Sequence, residues 1–283
     1  MTEKMPAELS GVPETLLWTL YERAAEARRP DTALRDSRAV QLVEAIDYPF
    51  EERFGGGEPG QWQALRARCF DLEVTAFLRE HPDGTVVALG EGLETQFWRV
   101  DNGRVRWLTV DLPEIVELRR RLLPPESPRH RMIGGSALER IWLDEVDPGP
   151  GLLITAQGLL MYLDPADVHR LVAAAAARFP GAGMVLDGVP RWFSARTVKG
   201  RMRRHGYTAP PMPWALDAAE KERLRSLHPG IVVRELRPPR GHGLVHGVLF
   251  PLLNRSAWIR SLGVTGLPII RLDFGPRTSR APA

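Results

Sequence analysis

Two glycines one residue apart, Gly90 and Gly92, follow an apolar run and open a helical stretch in TVVALGEGLETQFWRVD, residues 85–101. Glycine lets a backbone turn sharply and lets a ligand approach it closely, so this corner has the outline of a nucleotide-type site. A dinucleotide fingerprint would also ask for glycine or alanine at position 95, which is Thr95 here. Glu91 lies between the glycines and Glu94 follows them. Two carboxylates would repel a pyrophosphate, because phosphate cradles work through N–H groups and cations. A ligand with little negative charge fits better, and S-adenosylmethionine carries a sulfonium and an ammonium beside one carboxylate. Asp111, 21 residues after Gly90, stands where an acidic residue accepts both ribose hydroxyls of a nucleoside. Its other reading is the N-cap of the helix LPEIVELRRRL, and the two roles can coexist.

Other reactive side chains carry less. His242 and His246 in GHGLVH have a metal-like spacing but no cysteine or carboxylate partner close by, so they read as strand or loop residues with no metal implied. Cys69 beside Arg68 could have a lowered pKa, but it lies on an apolar helix face, where packing is the preferred reading. Arg191, Arg196 and the run KGRMRRH could attract an anionic substrate, and a solvated face is the commoner explanation.

The elements that must position the glycine corner follow from periodicity. Residues 13–29, 33–46 and 61–80 read as helices, making the first 80 residues an all-helical block. From residue 85 short apolar runs alternate with amphipathic stretches. Strands are expected at 85–90, 105–111, 130–135, 151–156, 182–188, 231–236 and 268–274, with helices at 94–101, 113–122, 137–145 and 165–178. Near-continuous apolar strands joined by helices imply a parallel sheet covered on both faces, a doubly wound α/β domain. An irregular insertion, residues 190–216, is rich in aromatics, arginines and prolines; it reads either as a lid over the strand ends or as a surface excursion.

Composition bounds the rest. The chain has 283 residues, 43% of them hydrophobic and 26% charged, the profile of a globular protein. One cysteine excludes an intrachain disulfide and a cysteine-type zinc cluster. The N-terminus lacks the apolar core of a signal peptide, and no apolar run approaches the roughly 20 residues that span a bilayer. A net charge of +3 gives no argument for a nucleic-acid partner. These features point to the cytoplasm, with no membrane partner.

The segments VVALGEGLETQFWRV, WLTVDLPEIVELRRRLL, GSALERIWLDEV, ITAQGLLMYL and APPMPW together resemble the leucine carboxyl methyltransferase family, and most closely its bacterial polyketide O-methyltransferase branch. The likeness runs from about residue 14 to residue 274, with the motifs in the family's order. It implies a class I, Rossmann-like fold with a seven-stranded, mostly parallel sheet. It further implies a helical N-terminal segment (1–80) packed on a methyltransferase domain (81–283) as one structural unit, with 190–216 as a lid-like insertion. The implied cofactor is S-adenosylmethionine, leaving as S-adenosylhomocysteine. Leu89, Gly90, Gly92, Leu93 and Thr95 match the first motif, while Glu94 stands where aspartate is usual and Gln96 where arginine is usual. Asp111 matches the ribose ligand, and Ser136, Ala137 and Leu138 match the adenine wall. Arg68 matches the helix arginine that holds the methionine carboxylate. Gln157 replaces a glutamate that would face the cofactor's ammonium.

Methyl transfer from sulfonium to oxygen is an in-line displacement, in which the protein mainly aligns the reactants. A carboxylate acceptor, with a pKa near ~4, needs no general base, whereas a phenol near ~10 would use one. His205, His169 and His242 are the available bases, none placed by a motif. Tyr21, Tyr162, Trp192, Phe193, Tyr207 and Trp214 could wall the acceptor's pocket, with Trp18 and Tyr21 better read as core. The expected activity is O-methylation of a carboxyl or hydroxyl on a polyketide-like small molecule. The alternative is a methyltransferase-like protein that has lost methyl transfer, prompted by Gln96 and Gln157, and catalyses a cofactor-independent cyclisation, rearrangement or dehydration. A scaffold protein and a protein C-terminal methyltransferase are the remaining readings.

Overall fold

The computed structural model describes residues 4–7, 9, 11–55, 61–204, 207–253, 255–256 and 268–276. Seven strands form one sheet: β1 (Thr85–Leu89), β2 (Arg106–Asp111), β3 (His130–Gly134), β4 (Leu152–Ala156), β5 (Gly183–Asp187), β6 (Ile231–Leu236) and β7 (Ile269–Phe274). Across the sheet they run β6-β7-β5-β4-β1-β2-β3. The first five are parallel, and β7 lies antiparallel between β5 and β6. The helices are α1 (Thr15–Ala27), α2 (Ser37–Ala45), α3 (Phe50–Phe54), α4 (Gln61–Glu80), α5 (Gln96–Val100), α6 (Pro113–Leu122), α7 (Ile141–Glu145), α8 (Pro165–Arg178), α9 (Arg191–Val198), α10 (Ala218–Ser226) and α11 (Phe250–Leu253).

β1, β4 and β5 are buried at every position, as strands covered on both faces must be. Alternation within β1 serves two cores. Val87 and Leu89 pack with Val110, Ile154 and Val172 of α8. Val86 and Ala88 pack with Phe70, Val74 and Phe77 of α4. A third core joins Leu17, Leu20 and Ala24 of α1 to Leu42, Phe50 and Phe54, and draws in Leu93 from the loop after β1. The helical block is thereby packed directly against the glycine corner. A Cβ added at Gly92 would lie 3.2 Å from Leu16 Cβ of α1.

The strands expected from sequence lie where they were placed, each within a residue at its ends. The seven-stranded, mostly parallel α/β architecture stands as anticipated. Several finer expectations need correction. Residues 4–55 are not wholly helical, because Met5–Pro6 pairs with Ile46–Asp47. The second helix starts at Ser37 instead of 33, since the Asp36 carboxylate accepts from Ala39 N at 3.0 Å and caps it. The helix expected over 137–145 is only α7, because the Glu139 carboxylate turns back to accept from Ser136 N. The 190–216 stretch is not irregular: it carries α9 and an antiparallel pair, Arg203–Arg204 with Tyr207–Thr208. Among the described residues no helix is long and apolar enough to cross a membrane.

Candidate active site

A cavity of about 360 Å³ opens at the carboxyl ends of β1, β2, β3 and β4, where open α/β sheets place their ligands. Gly90 and Gly92 adopt φ of 58° and 55°, left-handed values that residues with a Cβ rarely take. Gly90 N donates to Val110 O at 2.8 Å. Gly92 N donates to Asp111 Oδ2 at 2.6 Å, and Leu112 N to Asp111 Oδ1 at 2.8 Å. Asp111 therefore ties the loop after β1 to the end of β2 while lining the cavity. Each of its oxygens keeps a further lone pair for a ligand hydroxyl. Burial pushes its carboxyl up, against the pull of the two N–H donors.

The two loop glutamates do not face the cavity as free charges, which corrects the sequence-based picture of an acidic mouth. Glu91 is paired with the wholly buried Arg119 at 2.9 Å and accepts from the Thr109 hydroxyl. Arg119 also donates to the carbonyls of Gly92 at 2.6 Å and Glu94 at 3.0 Å, clamping the loop from below. Glu94 lies 2.7 Å from Arg99 and 3.2 Å from Arg23. Burial alone would raise its pKa, but those two guanidiniums hold it well below the usual carboxylate range. Arg99 in turn grips Asp71 through two hydrogen bonds of 2.8 and 3.0 Å and reaches Asp36 at 2.9 Å. This arginine supplies the bidentate anchor that Gln96 cannot; Gln96 itself donates to Asp71 at 3.0 Å.

The cavity gathers Gly90, Gly92, Asp111, Ser136, Ala137, Leu138, Gln157 and Tyr162 from the expected set. It does not gather Arg68, which is exposed and donates to Ala33 O at 3.3 Å. Arg66 lines the cavity instead and pairs with the buried Asp187 at 3.2 Å. Positions 66 and 68 differ by about 200° around a helix, so only one can face inward. Arg66 shares its face with buried Gln63 and Phe70, three residues before and four after it, a spacing visible in the sequence.

Among the aromatics, Tyr21 stacks on Phe50 at 5.3 Å, and Tyr207 packs against Phe54 and Trp18. Trp214 is buried and donates to Glu220 at 2.8 Å. Trp192 is 46% exposed beside Phe193. None of these four lines the cavity, whereas Trp18 and Phe193 do. Trp18 packs against the N-terminal core as the sequence suggested and also lines the cavity. His169 pairs with Glu220 at 2.7 Å, and His242 with Glu26 at 3.0 Å, both away from the cavity. His205 falls outside the described residues. Burial pushes the Cys69 thiol up to about 12, with Glu73 and Asp187 adding to it, so it packs as an inert side chain.

Arg23, Arg66, Gln63, Thr15 and Thr19 are polar lining groups that the sequence analysis did not place at the site. Two buried amide oxygens among the lining residues lack a hydrogen-bond partner: Gln63 Oε1 and Gln157 Oε1. Unpaired acceptors at a buried site suit a donor-rich ligand group such as an ammonium. Arg66 and Arg23 suit a carboxylate, and Asp111 a ribose diol, so the residues fit an amino-acid-bearing nucleoside.

Comparison with known proteins agrees with that fit. A family model described as leucine carboxyl methyltransferase matches residues 17–176. The chain is 37% identical over 185 residues to the tetracenomycin polyketide synthesis O-methyltransferase TcmP of Streptomyces glaucescens, covering 65% of this chain and 68% of that protein. It is 26% identical over 255 residues to the S-adenosyl-L-methionine-dependent methyltransferase dpfgK of Gibberella zeae, covering 82% and 84%. The fold is similar to that of a crystallised methyltransferase candidate from Thermobifida fusca, with a TM-score of 0.52, 17% identity, and coverage of 91% and 94%.

Proposed function

The chain belongs to the leucine carboxyl methyltransferase family and is an S-adenosylmethionine-dependent methyltransferase, and from that premise we propose that it methylates a carboxylate oxygen of a small organic acid. One observation carries the choice of oxygen acid. Among the described residues, the titratable groups lining the cavity are Arg23, Arg66, Glu91, Glu94, Asp111 and Tyr162, and no histidine is among them. Each carboxylate is already engaged, Glu91 and Glu94 by arginines and Asp111 by two backbone N–H groups. Burial pushes the Tyr162 phenol up, away from service as a base near neutrality. An acceptor that is ionised in water needs none of them, and a carboxylate with a pKa near ~4 meets that condition.

When bound, S-adenosylmethionine supplies a methyl carbon made electrophilic by its sulfonium. In this reading Asp111 accepts from the ribose hydroxyls, and Ser136, Ala137 and Leu138 wall the base. Gln157 Oε1 accepts from the ammonium, and Arg66, in place of Arg68, holds the methionine carboxylate. The acceptor side is formed by α1 and the 190–216 insertion acting with the sheet as one structural unit. Trp18, Tyr162, Phe193 and Met212 line that side with largely apolar surface, which excludes water and suits an aromatic or polyketide-like acid. The named role of TcmP in polyketide synthesis supports that class of acceptor. Gln96 donates to Asp71 behind the loop and Gln157 to Glu94 in the cavity wall, and no observation favours the lost-activity alternative that these two residues suggested.

The test is to incubate the protein and cofactor with paired aryl carboxylic acids and phenols and to identify products by mass spectrometry. Methyl esters are expected, formed at rates flat from pH 6 to 8. Methylation of phenols alone, rising with pH toward their pKa, overturns the carboxylate reading.

A further inference from the structure

An amide side chain does not decide by its own shape which end faces a ligand, because its oxygen and nitrogen are nearly equal in size. Gln157 is decided by its neighbour. Its Nε2 donates to Glu94 Oε2 at 3.0 Å, and both residues line the cavity. A carboxylate can only accept, so the amide nitrogen must face Glu94. The amide oxygen is then left without a partner in the protein.

Glu94 is itself braced from behind. Its Oε1 accepts from Arg99 Nη1 at 2.7 Å and from Thr95 N at 2.8 Å, and its Oε2 lies 3.2 Å from Arg23 Nη1. The planar guanidinium of Arg99 is fixed by its two-point contact with Asp71 and by Asp36. The side chains of Arg23, Arg99 and Glu94 are no more than 9% exposed. Burial at that level keeps water from competing for these contacts.

We propose that Glu94, braced by Arg99, is a positioning residue that turns the Gln157 amide so that its oxygen meets the ammonium of the cofactor. The proposal rests on the assignment of this cavity to S-adenosylmethionine and adds a role for a residue behind the contact. It has a counterintuitive consequence. Gln157→Glu brings a negative charge nearer the ammonium, yet it sets two carboxylates against each other where a 3.0 Å hydrogen bond now stands. Because Glu94 is one methylene longer than the aspartate usual at this position, one carboxylate must move or take up a proton, so cofactor affinity falls.

The experiment is calorimetry with two probes, S-adenosylhomocysteine and methylthioadenosine, the second lacking both ammonium and carboxylate. E94Q and Q157E are each expected to weaken S-adenosylhomocysteine about tenfold, the scale of one hydrogen bond to a charged group. Methylthioadenosine affinity should stay within about twofold, which also reports that the variants are folded. The exchange variant E94Q/Q157E again pairs one amide with one carboxylate, and its affinity should return to within about threefold of the native protein. R99K, which keeps the charge but loses the fork, should resemble E94Q. The inference is overturned if Q157E binds S-adenosylhomocysteine as tightly as the native protein, or if E94Q weakens both probes alike. A native protein that binds neither probe overturns the cofactor assignment itself, and the inference with it.

Discussion

In the proposed assignment Asp111 both ties the glycine loop to β2 and accepts from the ribose, which leaves one carboxylate little slack. Both oxygens already accept from backbone N–H groups at 2.6 and 2.8 Å. Asp111→Asn must turn an NH2 toward one of those donors, opening the loop and losing a ribose acceptor together. We expect S-adenosylmethionine affinity to fall at least about tenfold by titration calorimetry, the loss of one charge-assisted hydrogen bond; unchanged affinity would remove Asp111 from the site. The two neighbouring arginines of α4 should separate just as cleanly. R66A leaves Asp187, which is wholly buried, without its ion-pair partner, a change that typically costs about 3–5 kcal/mol. R68A should cost no more than about 0.5 kcal/mol, as exposed positions do. Urea denaturation of both variants measures the difference. The helix carrying them was legible in the sequence to the residue, but its inward face was not. Choosing between Arg66 and Arg68 needed the spacing to Gln63 and Phe70 to be weighed above the local motif.

At the scale of elements, β1 and its loop depend on a backbone that only glycine takes easily. Gly90 has φ 58°, and a Cβ there would sit 2.7 Å from a Leu159 methyl. G90A should lower the melting temperature, because the left-handed conformation alone costs a residue with a Cβ roughly 1–2 kcal/mol. A second test lies at β3. His130 is 2% exposed and stacks on Phe97 at 4.4 Å. Burial, with Arg119 adding to it, pushes its pKa down from 6.5 to about 4. The unfolded chain therefore gains a proton below pH 6.5 that the folded chain refuses until about pH 4. Stability from this site is full above pH 6.5 and is lost as pH falls toward 4. Melting curves across that window should drop for the native protein and drop less for H130Q; parallel curves would count against the assignment. The central strands β1, β4 and β5 were readable because their runs are apolar and buried almost throughout. α10 was missed because it buries only Leu224 and so has almost no periodic face. Its one local signal, Asp217 accepting from Glu220 N at 2.9 Å, is a cap. α9 hid among the prolines and arginines of the insertion for the same reason, with only Ser194 and Thr197 buried.

Across the whole molecule, the N-terminal helices and the sheet meet through charge as well as through apolar packing. Arg23 of α1 donates to Leu93 O at 2.9 Å and pairs with Glu94, while Asp36, before α2, accepts from Thr95 and Arg99. A ligand that steadies the loop should steady α1 with it. Adding S-adenosylmethionine at a hundred times its dissociation constant should stabilise the fold by about 2.7 kcal/mol. Hydrogen exchange of the α1 amides should slow along with those of the loop. Slowing confined to the loop would show that the two parts answer the ligand separately. None of this coupling was legible in the sequence, since Arg23 and Asp36 are 71 and 58 residues away from Glu94 and ordinary helix and cap positions by themselves.

One feature of the topology reaches beyond binding to the way the protein is made. β7 is wedged between β5 and β6, and the start of β6 at Ile231 lies 44 positions after the end of β5 at Asp187. A nascent polypeptide that has left the ribosome up to residue 260 already holds β6 but gives it no neighbour, and β5 shows a bare border of amide and carbonyl groups. Such half-finished sheets are sticky, so premature stop codons ahead of Ile269 should yield insoluble product instead of a trimmed enzyme.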